Sequence, residues 1–320
     1  MTQHAELDIG LIVAGHGRHY VVMTPEGREV ICQPRGKKSQ VVVGDRVRWQ
    51  VTDSRGDAGV IEAMEPRRNL LYRQDEWKTK SFAANLDRLL VLVAAEPVFS
   101  ESQLSRALIA AEEARIEVLI LLNKVDLEPA ASLARERLAP YRAMGYEVLE
   151  VALKARSEAG LKSADADPLR SHRDAALAML TPRLAKGSTL VLGPSGTGKS
   201  TLVNLLVPQA QAATAEISTA LNSGRHTTTH TRWYWLDGGR EGALIDSPGF
   251  QEFGIQHIQR PDLAHWMPDL RAHLGHCRFA NCSHTHEPDC GVLAALERGE
   301  IAANRYRIYQ ELGAELDRRG

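Results

Sequence analysis

From Asp8 to about Glu65 the chain alternates short apolar, β-prone runs with turn residues and never sustains a helical period. The runs fall at 10–14, 20–23, 29–32, 40–43, 46–49 and 59–62. Five or six strands this short and this evenly spaced predict a small barrel, which removes the exposed edges a flat sheet would leave. Residues 67–81 are charged and poorly patterned and read as a linker.

Beyond them the rhythm changes to apolar runs alternating with longer amphipathic stretches, the pattern of a parallel sheet with crossover helices. Strands are expected at 89–95, 116–123, 146–151, 188–192 and 242–245. Helices are expected at 101–114, 131–144, 171–184 and 201–206, and again between 292 and 316. Residues 155–168 are rich in Ser, Ala and Asp and read as a loop. No internal repeat interrupts this scheme.

At 320 residues, 43% hydrophobic and 25% charged, the chain has room for two or three ordinary globular domains. Its first residues lack the basic start and apolar run of a secretory leader, and no stretch approaches 18 uninterrupted apolar residues. A soluble, cytoplasmic protein with no membrane partner is expected.

The net charge of −1 gives no global attraction to a polyanion, and residues 1–80 carry 13 Lys+Arg against 11 Asp+Glu. Contact with nucleic acid then has to come from local patches. Arg35, Lys37, Lys38, Arg46 and Arg48, with Trp49 nearby, form the one basic and aromatic stretch in the barrel segment. It reads equally as a phosphate-contacting face of an oligonucleotide-binding fold and as a solvated barrel face.

After the strand at 188–192 comes Gly193-Pro194-Ser195-Gly196-Thr197-Gly198-Lys199-Ser200, followed by Thr201 and a helix. This is the phosphate-loop pattern in the context it requires. Glycines let successive N–H groups point inward around phosphates, and the helix N-terminus adds positive potential. Lys199 is placed to bridge the outer phosphates, and Ser200 to ligate Mg2+.

A phosphate loop does not choose a base, whereas Asn123-Lys124-Val125-Asp126 at the end of the second strand does. The Asp126 carboxylate accepts two N–H groups from a guanine edge, and adenine offers a different donor pattern. Asn123 is expected to hold the loop and the Lys124 stem to cover the ring face.

Asp246-Ser247-Pro248-Gly249 comes after another apolar strand as a D-x-x-G loop, with Asp246 aimed at Mg2+ through water and the Gly249 N–H at a γ-phosphate. The threonine-rich segment from Gly224 to Thr231 can offer Mg2+ a hydroxyl, Thr229 being a candidate.

In an ordinary G domain the base-reading motif comes last; here it comes first. A circular permutation keeps the same elements if the usual termini are joined. It leaves D-x-x-G as the final motif, so the switch feeds directly into the C-terminal segment. That segment contains Cys277-x4-Cys282-x-His284-x5-Cys290, three thiolates and an imidazole suited to a closed structural zinc site. His276 and His286 compete for the fourth position. The remaining Cys32 reads as a buried small hydrophobe. Arg298, Arg305, Tyr306, Arg307 and Tyr309 in the terminal helices read as facing RNA or solvent.

The ordered set of N-K-x-D, G-P-S-G-T-G-K-S-T, G-R-H-T-T-T, D-S-P-G-F and C-x4-C-x-H-x5-C resembles the RsgA family, also called YjeQ or EngC, of small ribosomal subunit biogenesis GTPases. The resemblance spans nearly the whole chain. It implies a multi-domain α/β protein with an OB-fold barrel at 1–70, a circularly permuted P-loop GTPase domain at 71–253 and a zinc-binding α-helical domain at 254–320.

It further implies GTP and GDP as ligands with Mg2+ and one structural Zn2+. The implied partner is the 30S subunit with its 16S rRNA, bound late in maturation by a monomer and released after stimulated hydrolysis. Guanine contacts then fall on Asn123, Lys124 and Asp126, phosphate contacts on Gly193 to Thr201, and zinc ligands on Cys277, Cys282, His284 and Cys290.

Phe250 stands after D-x-x-G where Ras-like enzymes place a glutamine, and a phenyl ring cannot orient water. His226 of G-R-H-T-T-T is the family's candidate, with His230 and a ribosomal group as rivals. One departure stands out: Val151-Ala152-Leu153-Lys154 occupies the place where a small Ser-Ala pair is expected behind the guanine.

Overall fold

The computed structural model describes residues 7–36, 40–74, 79–154, 168–210, 231–247 and 254–318. Strands β1 (Asp8–His16), β2 (His19–Met23), β3 (Glu29–Pro34), β4 (Arg46–Val51) and β5 (Ala58–Met64) close into a barrel of the OB type. The order is β1-β2-β3-β5-β4, and β4 returns to β1. All pairs are antiparallel except β3 with β5.

Alternate residues point inward, as the period of two demands, so Val30, Cys32, Val47 and Trp49 fill the interior. Burial pushes the Cys32 thiol up to about 11, which keeps it a packing residue rather than a nucleophile.

The stretch 40–43 is not a strand. Val41 and Val43 are buried, but the backbone around them is captured by the wholly buried Asp45 carboxylate. That carboxylate accepts from Val42 N at 2.8 Å and from Arg67 at 2.7 and 2.8 Å. Gly44, at φ 90°, has no room for a side chain, since a Cβ there would lie 2.1 Å from the Ala84 carbonyl oxygen.

The expected linker is likewise structured: β6 (Leu70–Gln74) and β7 (Thr79–Ala84) pair as a hairpin. A register shift between Leu71 and Tyr72 hides its alternation, yet Leu71, Phe82 and Ala83 join the main core.

The second sheet holds β8 (Arg88–Ala94), β9 (Glu117–Asn123), β10 (Glu147–Val151), β11 (Gly187–Leu192), β12 (Arg232–Trp235) and β13 (Gly242–Asp246). Its order is β10-β9-β8-β11-β13-β12, parallel throughout except for β12. Helices α1 (Glu101–Glu113), α2 (Ala130–Ala143), α3 (Pro168–Leu184) and α4 (Lys199–Leu206) accompany it. The central strands are buried on both faces, which is why they read as continuous apolar runs.

Strand β12, which the sequence pattern does not reveal, touches β1 at Ala14 and Arg232 and makes barrel and sheet one array. Arg240 reinforces this joint by donating to the Pro25 and Glu26 carbonyls at 3.0 and 3.2 Å.

After residue 254 come a 3-10 turn (Arg260–Trp266), α5 (Pro268–Arg271), α6 (Gly291–Glu297) and α7 (Ala303–Asp317). Leu263, Met267, Leu270, Val292, Ile308 and Leu312 form a separate core that reaches α1 through Ile109.

The terminal helices correct the expectation of an RNA-facing set. Arg305, Tyr306 and Tyr309 are buried, and Arg305 donates to Asp269 and to Ser105 Oγ. Arg298 and Arg307 remain at the surface, paired with Glu300 and Glu311. In the barrel patch, Trp49 is likewise core, and Arg35 and Arg48 pair with Glu62 and Glu65; Lys37 and Lys38 lie outside the described residues. No helix among the described residues is long and apolar enough to cross a membrane.

Candidate functional site

Because β8, β9, β10, β11 and β13 run parallel, their carboxyl ends share one edge, where crevices form outside a parallel sheet. Every cleft motif except the threonine-rich segment comes directly after one of these strands. The loop from Gly193 to Gly198 links β11 to α4. Gly196 and Gly198 sit at φ 82° and 103°, a region that favours glycine, and Thr197 Oγ1 donates to the Pro194 carbonyl at 2.8 Å. No side chain caps the start of α4, so its first N–H groups face the loop mouth.

Asn123, the buried last residue of β9, is the joint of the site. Its Nδ2 donates to the Thr197 carbonyl at 2.7 Å across 74 residues of sequence, and its Oδ1 accepts from Leu153 N at 3.0 Å. One amide therefore ties the phosphate loop, the base-reading loop and the segment after β10 together. A Cβ on Gly198 would come within 2.4 Å of this amide, which leaves glycine as the residue that fits. Lys124 is left-handed at φ 64°, and its Nζ donates to the Glu96 carbonyl at 2.5 Å. Val125 N donates to the Val151 carbonyl at 3.3 Å, and Asp126 is exposed at the tip.

Lys199 and Asp246 meet at the floor, Nζ to Oδ1 at 2.5 Å, although 47 residues separate them. Ser200 is exposed at the start of α4, and Thr231 Oγ1 lies 3.2 Å from Ser247 Oγ. His226, Thr229, His230, Gly249 and Phe250 lie outside the described residues.

The roles of Leu153, Glu96 and the Thr197 carbonyl were not legible in the sequence, since all three act through backbone atoms. The position of Leu153 had one available signal: the segment comes after a strand parallel to β9 and so had to end at the same edge.

The second ligand set lies in the terminal module. The Sγ atoms of Cys277, Cys282 and Cys290 and a ring nitrogen of His284 all lie within 4.8 Å of one another. His284 Nδ1 is 3.5 Å from both Cys277 Sγ and Cys290 Sγ, and those two sulfurs are 3.9 Å apart. A zinc tetrahedron with bonds of about 2.3 Å to sulfur and about 2.0 Å to nitrogen has edges of roughly 3.5–3.8 Å, so the donors fit that ion.

His276 and His286 are exposed and stand outside this set, His286 Nδ1 instead lying 2.9 Å from Thr285 Oγ1. The clasp is pinned to α7 by two phenols, Tyr306 to the His284 carbonyl and Tyr309 to the Ser283 carbonyl, both at 2.7 Å. Glu287 accepts from the Ser283 and Thr285 amides at 2.7 and 3.1 Å, and hydrogen bonds from the Ser283 side chain first, then from the Ser283, Glu287 and His286 backbone, hold its carboxyl well below the usual range.

Comparison with known proteins agrees with this architecture. The family model described as RsgA GTPase matches residues 64–256. A protein of Variovorax paradoxus named "Small ribosomal subunit biogenesis GTPase RsgA" is 58% identical over 311 residues, 96% of this chain and 92% of that one. A protein of the same name from Burkholderia pseudomallei is 55% identical over 304 residues, 95% of this chain and 90% of that one.

Among solved structures, YjeQ from Thermotoga maritima superposes with a TM-score of 0.71 at 26% identity, covering 98% of this chain and 99% of that one. YloQ, described as a circularly permuted GTPase, superposes at 0.69 and 24% identity over 100% of this chain and 98% of that one, a likeness of fold. With one family model over more than half the chain and relatives above half identity along nearly all of it, this protein belongs to the RsgA GTPase family.

Proposed function

We propose that this chain is a GTP-driven switch in maturation of the small ribosomal subunit. It binds the 30S particle and its 16S rRNA late in assembly, hydrolyses GTP faster when bound there, and leaves afterwards. It acts as a monomer in the cytoplasm. The reading is supported by the names of relatives above half identity and by one contact, the Asn123 amide that holds the phosphate loop 2.7 Å away.

In this reading the Asp126 carboxylate accepts the guanine N–H pair, Asn123 sets the loop, and the Lys124 stem lies along the base. Lys199 and the backbone N–H groups of residues 193–201, all but Pro194, which has none, take the phosphates, and Ser200 and Asp246 would hold Mg2+, which neutralises charge on the outer phosphates when bound. Asp246 and Lys199, paired with each other here, separate to meet metal and phosphate. The Gly249 amide meets the γ-phosphate, with Thr229 as the candidate switch ligand and His226 the candidate that positions water.

Cys277, Cys282, His284 and Cys290 hold a structural zinc with no open position for catalysis. The domain limits fall at about 70 and 253, with the β6–β7 hairpin as the first element past the barrel.

GTP turnover with and without purified 30S subunits tests the reading. Strong stimulation supports it; tight binding to the particle with no change in turnover would replace the switch with a nucleotide-dependent RNA-binding adaptor.

A further inference from the structure

The loop between β8 and α1, residues 95–100, carries none of the nucleotide motifs yet touches the base-reading loop near its start and leads at its end into α1, whose first residue meets the terminal module. At its start, the Glu96 carbonyl accepts from Lys124 Nζ at 2.5 Å. In its middle, the Phe99 ring is buried beneath the Arg137 guanidinium, 4.5 Å from the ring centroid, and Arg137 Nη2 donates to the Phe99 carbonyl at 2.8 Å. At its end, Ser100 Oγ caps α1 by accepting from Gln103 N at 3.3 Å.

Glu101, the first residue of α1, is largely buried, and its two carboxylate oxygens are divided. Oε1 accepts from Arg137 Nε at 2.8 Å; Oε2 accepts from Nδ2 of Asn304, in the first turn of α7. The side-chain Oδ1 of Asn304 in turn accepts from Arg307 Nη2 at 2.5 Å.

Elsewhere on the same face the module meets α1 through Arg106 with Glu315, Arg271 with Glu112, and Arg305 with Ser105. Asn304 is the contact at the cleft end of that seam.

We infer that Glu101 and Asn304 are positioning residues for guanine binding, through which the zinc-clasped module sets the Lys124 loop. The Glu101 carboxylate is largely buried, so its geometry depends on both donors being present. Removing Asn304 leaves one oxygen without its partner, frees Arg137 to shift, and loosens the six residues that hold the Glu96 carbonyl under Lys124. The base-reading loop then loses the contact that fixes its lysine. This rests on the guanine assignment above. It adds that the terminal module modulates nucleotide affinity along a contiguous chain of contacts, separate from the D-x-x-G loop.

The test is dissociation of a fluorescent guanosine diphosphate from the full chain, with zinc content and circular dichroism followed in parallel. Asn304→Ala is expected to weaken binding roughly fivefold, the lower range for coupling between sites. Asn304→Asp sets a second carboxylate against Glu101 and is expected to weaken it further, with zinc content unchanged. KM for GTP rises while kcat at saturation holds.

The route is read by a double-mutant cycle: Lys124→Ala with Asn304→Ala is expected to bind no more weakly than Lys124→Ala alone. Unchanged affinity in Asn304→Ala, or full additivity in the cycle, overturns the inference. A wild-type chain with no preference for guanine over adenine nucleotides would overturn the base assignment itself, and this inference with it.

Discussion

The nucleotide cleft and the zinc clasp are assembled in opposite ways. The clasp takes all four donors from fourteen consecutive residues, and its geometry comes from one turn and two tyrosine props. The cleft takes its parts from positions 123, 153, 197, 199 and 246, which the parallel sheet alone brings to one edge. A local set is fixed by spacing, whereas a distributed set is fixed by topology, which is why a chain permuted in order can keep the same cleft.

The sharpest way to break the cleft while sparing the clasp is Lys199→Ala. Nucleotide titration is expected to show binding reduced beyond measurement, with circular dichroism and zinc content unchanged; loss of zinc would show that the clasp needs an intact phosphate loop to form.

Asp126→Asn tests base reading alone. GTP affinity is expected to fall on the order of 100-fold, the loss of two charge-assisted hydrogen bonds, while xanthosine triphosphate improves. Unaltered GTP affinity would remove Asp126 from the base.

The converse perturbation is Cys282→Ser. The terminal module is expected to lose zinc and stability, since metal binding in such sites contributes to folding. Guanine affinity should then fall only several-fold, by way of Asn304. An intact melting profile would mean that the clasp is incidental.

The smallest effect concerns the ground between the sites. His257 stacks against Tyr72 with ring centroids 4.4 Å apart, its Nδ1 is buried without a hydrogen-bond partner, and burial pulls its pKa from 6.5 down to about 4. The unfolded chain therefore binds more protons than the folded one between those values, and stability falls as pH drops from about 6.5 toward 4. Unfolding free energies from urea titrations at pH 7 and pH 5 should differ by roughly 1–2 kcal/mol more in the wild type than in His257→Leu. Equal pH dependence in both would place the burden on other groups.

The sequence by itself determined the parallel strands and the helices of the G domain, though not β12, together with the phosphate loop, the base-reading tetrapeptide and the three cysteines. Each is either a strong period or a motif whose residues stand next to one another. It misjudged residues 40–43, where the Asp45 carboxylate takes the Val42 N–H and Arg67 the Gln40 carbonyl, and 67–81, where a register shift masks a hairpin. It also left Arg305, Tyr306 and Tyr309 at the surface, because a helix does not reveal which neighbour will cover it.

Only the tertiary structure chose His284 over two nearby histidines, brought Leu153 beneath Asn123, and joined Glu101 to Asn304. Those are meetings of groups distant in sequence or of backbone atoms with no side-chain signature. They are decided by how the sheet and its helices pack, not by what stands beside each residue in the chain.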